Sequence, residues 1–206
     1  MTLVTLAGIL FLFGRNKMTE KEISVNVHSS HNYQRWVIET QFPNWQQTLP
    51  YWTDATEVCN VDETASNVSV QAYFKQNEGT ALATCLRDHV NSLLTDIKAP
   101  IRAGELKIAW TLEYKTNGWQ AVHNHSDPYT VISCVLCLEG KKDSGTFFAM
   151  LPEPDGTQQI ITIDQVPGTL IIVEGDVWHG AYPCTTGKKV YVFDFWQEIL
   201  SNDINT

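Results

Sequence analysis

The stretch Pro167–Trp196, PGTLIIVEGDVWHGAYPCTTGKKVYVFDFW, decides the fold, because it reads as three short strands cut by turns. Thr169–Glu174 and Val190–Trp196 are runs of β-branched and aromatic residues, with Trp178–Tyr182 between them. Pro167-Gly168, Gly175-Asp176 and Thr185–Gly187 supply the turn chemistry. The same texture reaches back to Leu106. Further strands are expected near Lys107–Tyr114, Gln120–His125, Thr130–Glu139, Gly145–Met150 and Gln159–Ile163, with breaks at Thr116-Asn117-Gly118, Gly140–Ser144 and Glu153–Gly156. That makes eight strands, the jelly-roll number. The expected class is mostly β with flanking helices, built on a double-stranded β-helix (jelly-roll) core.

Upstream the texture changes. Arg35–Thr40 and Val68–Phe74 read as strands, and Thr80–Ile97 reads as a helix, with Leu82, Leu86, His89, Val90, Leu93, Leu94 and Ile97 at three- and four-residue spacing and Pro100 beyond its end. No repeat or Pro/Gly/Ser-rich linker divides the chain. Residues 18–206 are therefore expected to form one domain, with 18–105 as a supporting helix and strand region and 106–206 as the jelly-roll core. Residues 1–17 are set apart as a leader of uncertain status. Their apolar stretch Leu3–Phe13 is about half a bilayer span, its basic residues follow instead of preceding it, and Met18 offers an alternative start. No membrane span is expected.

With 14 Lys+Arg against 23 Asp+Glu the formal charge is -9, and no basic run overrides it, so a phosphate backbone is repelled and nucleic acid is not an expected partner. A small polar molecule or a neutral or basic peptide suits this field. Five unevenly spaced cysteines point to reduced thiols and a cytoplasmic setting. Cys134 and Cys137 form a Cys-x-x-Cys, but strand alternation sends positions three apart to opposite faces, so they are expected in the core. His89 is read as core packing on its helix, and His28 and His31 as exposed.

Within Gln120–Asp127, His125 and Asp127 lie two apart and project to one face of an extended segment, and His123 shares that face. His179, after the Gly175-Asp176 turn, can enter the same barrel from another strand. Two imidazoles and a carboxylate bind Fe(II) on one side and leave open positions opposite, while the lack of a thiolate argues against structural zinc. The pair His125/Asp127 is the expected one, with His123/His125 left open beside it. On the last strand Lys189 alternates with Tyr191, Phe193 and Phe195, so that one face carries a cation above aromatics. A bound dicarboxylate is a physical reason for a cation to enter a barrel, and Lys188 is then expected to point outward.

These residues carry a resemblance. Trp119–Leu138 (WQAVHNHSDPYTVISCVLCL), Ser144-Gly145 and Pro167–Trp196 resemble the Fe(II)/2-oxoglutarate-dependent dioxygenase superfamily, and within it the prolyl-4-hydroxylase-like members of phage and bacterial type. The family's His-x-Asp falls on His125 and Asp127, its distal His on His179, and its carboxylate-binding basic residue on Lys189. A Lys in place of the Arg of many members holds a carboxylate through one point, not a fork. The resemblance implies a non-haem iron dioxygenase with His125, Asp127 and His179 as catalytic and metal residues. It implies 2-oxoglutarate as co-substrate on Lys189, with Tyr114 or Ser133 hydrogen-bonded to it, and dioxygen as the oxidant. Ascorbate is a further cofactor of the class. The implied reaction hydroxylates a peptidyl (prolyl) or small polar substrate while 2-oxoglutarate is decarboxylated to succinate and CO2. Trp110, Tyr114 or Trp178 would exclude water. Specificity would lie in loops at the barrel mouth, here Phe42–Asp62 with Trp45, Tyr51 and Trp52. Two other classes stay open: a cupin-like metal-binding jelly-roll acting as sensor or isomerase, and a non-catalytic binding module. The residues are silent on oligomeric state.

Overall fold

The structure is a computed structural model that describes residues 2–6, 23–29, 35–59, 68–74, 80–125 and 131–200; Asp127 lies outside the described residues. The chain runs through β1 (Thr2–Leu6), β2 (Ile23–Ser29), β3 (Trp36–Gln41), a 3-10 helix (Trp45–Asp54), β4 (Ala55–Cys59), β5 (Val68–Phe74) and α1 (Thr80–Asp96). Then come β6 (Ile101–Tyr114), β7 (Gln120–His123), β8 (Val131–Glu139), β9 (Phe147–Pro152), β10 (Gln158–Ile163), β11 (Thr169–Glu174), β12 (Trp178–Ala181) and β13 (Lys188–Ile199). Each strand expected from the sequence is present. The strands β1, β2 and β4 and the 3-10 helix were not expected.

A nine-stranded sheet has the order β1-β2-β3-β11-β8-β13-β6-β5-β4, and a four-stranded sheet the order β10-β9-β12-β7. The eight strands from β6 to β13 thus divide between two facing antiparallel sheets, with β6, β13, β8 and β11 on one side and β7, β12, β9 and β10 on the other. This is the double-stranded β-helix. Among the described residues no helix is long and apolar enough to cross a membrane.

The larger sheet is buried on both sides, which is why Val131–Leu138 is buried at every position. Its inner row, including Leu112, Tyr114, Val135, Cys137, Val190 and Val192, packs with Phe147, Ala149 and Ile161 inside the barrel. Its outer row, including Ile132, Cys134, Leu136, Tyr191, Phe193 and Phe195, packs beneath Leu82, Leu86, Val90 and Leu94 of α1. Asn91 ties that helix to β6, since its side chain accepts from Ala103 N at 2.7 Å and donates to Ala103 O at 2.9 Å. As expected, Cys134 and Cys137 are both core residues, one in each layer.

This two-sided burial corrects one expectation. The row Lys189, Tyr191, Phe193 and Phe195 faces α1, not the barrel; the Tyr191 hydroxyl donates to Thr48 O at 2.8 Å within the 3-10 helix. Trp45 and Tyr51 pack against this outer layer too, so that helix covers the back of the sheet and not the barrel mouth. The side chain of Trp52 and the whole of His31 are outside the description. His28 is half-buried beside Glu39, contrary to the exposed reading. His89 packs edge-on against Phe42, and burial lowers its pKa to about 4.

Candidate metal centre

The turn between β11 and β12 places two histidines at once. Val177 N donates to Glu174 O at 3.0 Å and closes the turn, and Gly175 O accepts the backbone N–H of His125 at 2.7 Å. Gly175 is needed there, because a Cβ would meet Val131 Cγ2 at 2.3 Å. The turn is itself held from β3: Trp36 N donates to the Glu174 carboxyl at 3.1 Å, and Arg35 pairs with Asp176. His179 then enters the barrel on β12 directly opposite His123 on β7.

The result is a cluster of three imidazoles, His123, His125 and His179, whose ligand atoms all lie within 4.8 Å of one another. Their ring centroids are 4.5 Å (His123–His179), 5.0 Å (His125–His179) and 5.2 Å (His123–His125) apart. In every ring Nδ1 is engaged by an oxygen: Ala121 O at 2.9 Å for His123, the Asp194 carboxylate at 3.0 Å for His125, and Val177 O at 2.8 Å for His179. A carbonyl oxygen only accepts, so Nδ1 carries the proton and the Nε2 lone pairs are left as donor atoms. Outer partners that fix the tautomer in this way characterise metal-ligating histidines. Burial, then the neighbouring rings, keep the pKa of His179 well below the ordinary value, and burial likewise lowers that of His123. Three neutral imidazoles with converging lone pairs repel one another, and a cation is the group that fits between them.

The cluster opens into a cleft of about 370 Å³, including its mouth, lined by Trp110, Tyr114, Gln120, Phe147, Gln165 and Val192 among others. Lys188 abuts this lining. It is buried, and its Nζ donates to Gly145 O at 2.8 Å and to the Gln165 side chain, and sits 4.2 Å from the centroid of the Tyr114 ring. All three partners are neutral, and burial lowers the pKa of Lys188 to about 8. Gly145 makes this possible, since it has φ 63° and a Cβ there would lie 2.5 Å from Cys184 Sγ.

The expected residues thus fall into distinct places. His125 and His179 meet as expected, with His123 as third member of the cluster. Tyr114 lines the cleft, its hydroxyl donating to Gln120 Oε1 at 2.9 Å. Ser133 is fully buried, and its Oγ has no partner among the described residues. Lys189 is a correction: it is half-buried at the outer rim of the sheet, 3.0 Å from Glu139, and Lys188 is the lysine that points inward. Trp178 is another, 51% exposed on the outer face of the small sheet because it precedes the inward His179 by one position. Sequence reasoning missed Asp194 and Gln165. A lone carboxylate between Phe193 and Phe195 was a visible signal for the first; nothing local marked the second.

No family profile and no curated protein sequence matches the chain. Solved structures do. A prolyl-4-hydroxylase from Pseudomonas putida matches with a TM-score of 0.60 at 14% identity, over 79% of this chain and 93% of that one. A 2OG-Fe(II) oxygenase family oxidoreductase from Burkholderia pseudomallei gives 0.53 at 15%, over 74% and 77%. The non-heme alpha-ketoglutarate-dependent epimerase SnoN of nogalamycin biosynthesis gives 0.58 at 15%, over 82% of each chain. Across so little identity these likenesses concern the fold, and the chain has the jelly-roll fold of 2OG-Fe(II) oxygenases.

Proposed function

We propose that this protein is an Fe(II)- and 2-oxoglutarate-dependent oxygenase. The observation that carries the reading is the pairing, around one cleft, of three converging imidazoles with a buried ammonium group that has only neutral partners. The first set suits a divalent cation and the second suits an anion. A dicarboxylate co-substrate satisfies both, with one end at the metal and the other at Lys188.

His125 and His179 would hold the iron, and His123 is the third donor that the geometry supports. Asp127, which the family resemblance puts in that role, follows His125 by two residues and competes with His123 for it. Bound there, ferrous iron supplies activation of dioxygen, coupled to conversion of 2-oxoglutarate to succinate and CO2. The chain's own residues bind and shield. Lys188 grips the far carboxylate, Gln165 and Tyr114 hold the ammonium in place, and Ser133 offers a free hydroxyl inside the barrel. Trp110, whose ring lies 5.7 Å from that of His125, screens the centre from water.

The finer reading is hydroxylation of a peptidyl (prolyl) or small polar substrate. The acidic surface favours a neutral or basic peptide, and the structural neighbours include prolyl-4-hydroxylases. The neighbours also include an epimerase. The three-imidazole set also fits a cupin-type metal enzyme that uses no 2-oxoglutarate, and Lys188 favours the oxygenase over it. The test is succinate formation from 2-oxoglutarate under air with Fe(II), ascorbate and a peptide panel that includes proline-rich sequences. Turnover lost in His179→Ala supports the reading; iron binding without any succinate would leave the cupin-type enzyme.

A further inference from the structure

Asp194 is a carboxylate set in the apolar run Val190–Trp196, 4% exposed and on the barrel-facing row of β13. Its partner is Nδ1 of His125 at 3.0 Å. Beside it on β8 the register partner is Ser133, whose buried Oγ is bonded to nothing among the described residues. A buried anion is costly unless a positive charge answers it. Among the described residues no Lys or Arg pairs with Asp194, and its side-chain partner is the His125 ring. The place left for a compensating charge is across the His125 ring, where Nε2 faces His123 and His179.

We infer that Asp194 is a positioning residue of the metal centre. It fixes His125 in the tautomer that presents Nε2, and it lends anionic charge, through the ring, to a cation held by otherwise neutral imidazoles. The proton stays on Nδ1 throughout. The inference rests on the metal reading above and adds to it: three neutral donors leave the charge of a divalent ion undiminished, and a carboxylate one ring away offsets part of it while making His125 the stronger ligand.

Cobalt(II) titration of the metal-free protein, followed by absorption, tests this in wild type and in Asp194→Asn, which keeps an acceptor oxygen for Nδ1–H but removes the charge. The expected result is affinity weaker by about 10- to 100-fold, with the metal-free melting temperature of the variant equal to or above that of wild type, since an uncompensated buried charge is gone. Cobalt affinity within about twofold of wild type overturns the inference. So does a metal-free melting temperature lowered in step with the affinity, which would make Asp194 a residue of the fold alone. Should the variant not fold, the Zn(II)-loaded wild type decides by NMR: a far-downfield His125 Nδ1–H resonance supports the inference and its absence overturns it. If wild type binds no cobalt at all, the metal reading itself has failed, an outcome distinct from the others.

Discussion

Lys188 is held in a place where burial opposes charge, and its hydrogen bonds to Gly145 O and Gln165 only partly replace water. Removing a charged hydrogen-bond partner costs about 1.5–3 kcal/mol, so Lys188→Ala should weaken 2-oxoglutarate binding by about 10- to 100-fold. Lys189→Ala, which breaks an exposed pair with Glu139 at the outer rim, should leave it within about twofold. Calorimetric titration with 2-oxoglutarate on the metal-loaded protein distinguishes the two lysines, and equal effects would remove Lys188 from the site. The protonated amine is the form that binds a carboxylate. With its pKa near 8, affinity should therefore fall as pH rises above about 8. At the metal, His123→Ala should abolish Co(II) binding while Asp127→Ala retains it if the three-imidazole set is the ligand set; the reverse pattern would restore the carboxylate.

At the scale of the element, β13 is one strand with two unrelated faces. Lys188, Val190, Val192 and Asp194 belong to the barrel, whereas Tyr191, Phe193 and Phe195 belong to the layer under α1. Phe193→Ala, at a fully buried position, should cost about 3–5 kcal/mol of stability in denaturant unfolding. Co(II) affinity of the folded variant should stay unchanged. Loss of metal binding in that variant would mean that the two faces are coupled. Gly145→Ala should act on the other face. Its backbone is in the left-handed region and its Cβ would collide with Cys184 Sγ, so about 1–3 kcal/mol of stability and much of the affinity for 2-oxoglutarate should be lost together.

For the whole molecule the titration of buried groups sets the response to pH. His89, His123 and His179 have folded pKa values below the ordinary 6.5, so the stability that their neutral forms allow is present above that pH and drains away as pH falls through the folded values. Burial raises Glu174 from 4.5 to about 7, so its contribution runs the other way: it is present below 4.5 and lost as pH rises through about 7. A bound divalent ion keeps the imidazoles neutral. Co(II) should therefore raise the melting temperature, and this gain should disappear only as pH falls through the lowered folded values of His123 and His179; a gain that persists undiminished below them would argue against imidazole ligation.

The β-rich core was legible because turn residues punctuate runs of β-branched and aromatic residues, and this local chemistry does not depend on partners. The α1 boundaries were legible for the same reason, from spacing and a terminal Pro. The strands β1, β2 and β4 were not: Ile23–Ser29 and Ala55–Cys59 are short and rich in polar residues, and only pairing with β3 and β5 makes them strands. His125 and His179 could be paired on the page because few side chains other than imidazoles serve as neutral metal donors. The sequence by itself thus determined the strands, the turns and the two principal histidines. Only the tertiary structure decided that Lys188 and not Lys189 enters the barrel, that Asp194 backs His125, and that His123 joins the cluster. On a strand buried on both sides, both rows are apolar, and alternation says which residues share a face but not which face meets the barrel; the helix packed against one of them settles it.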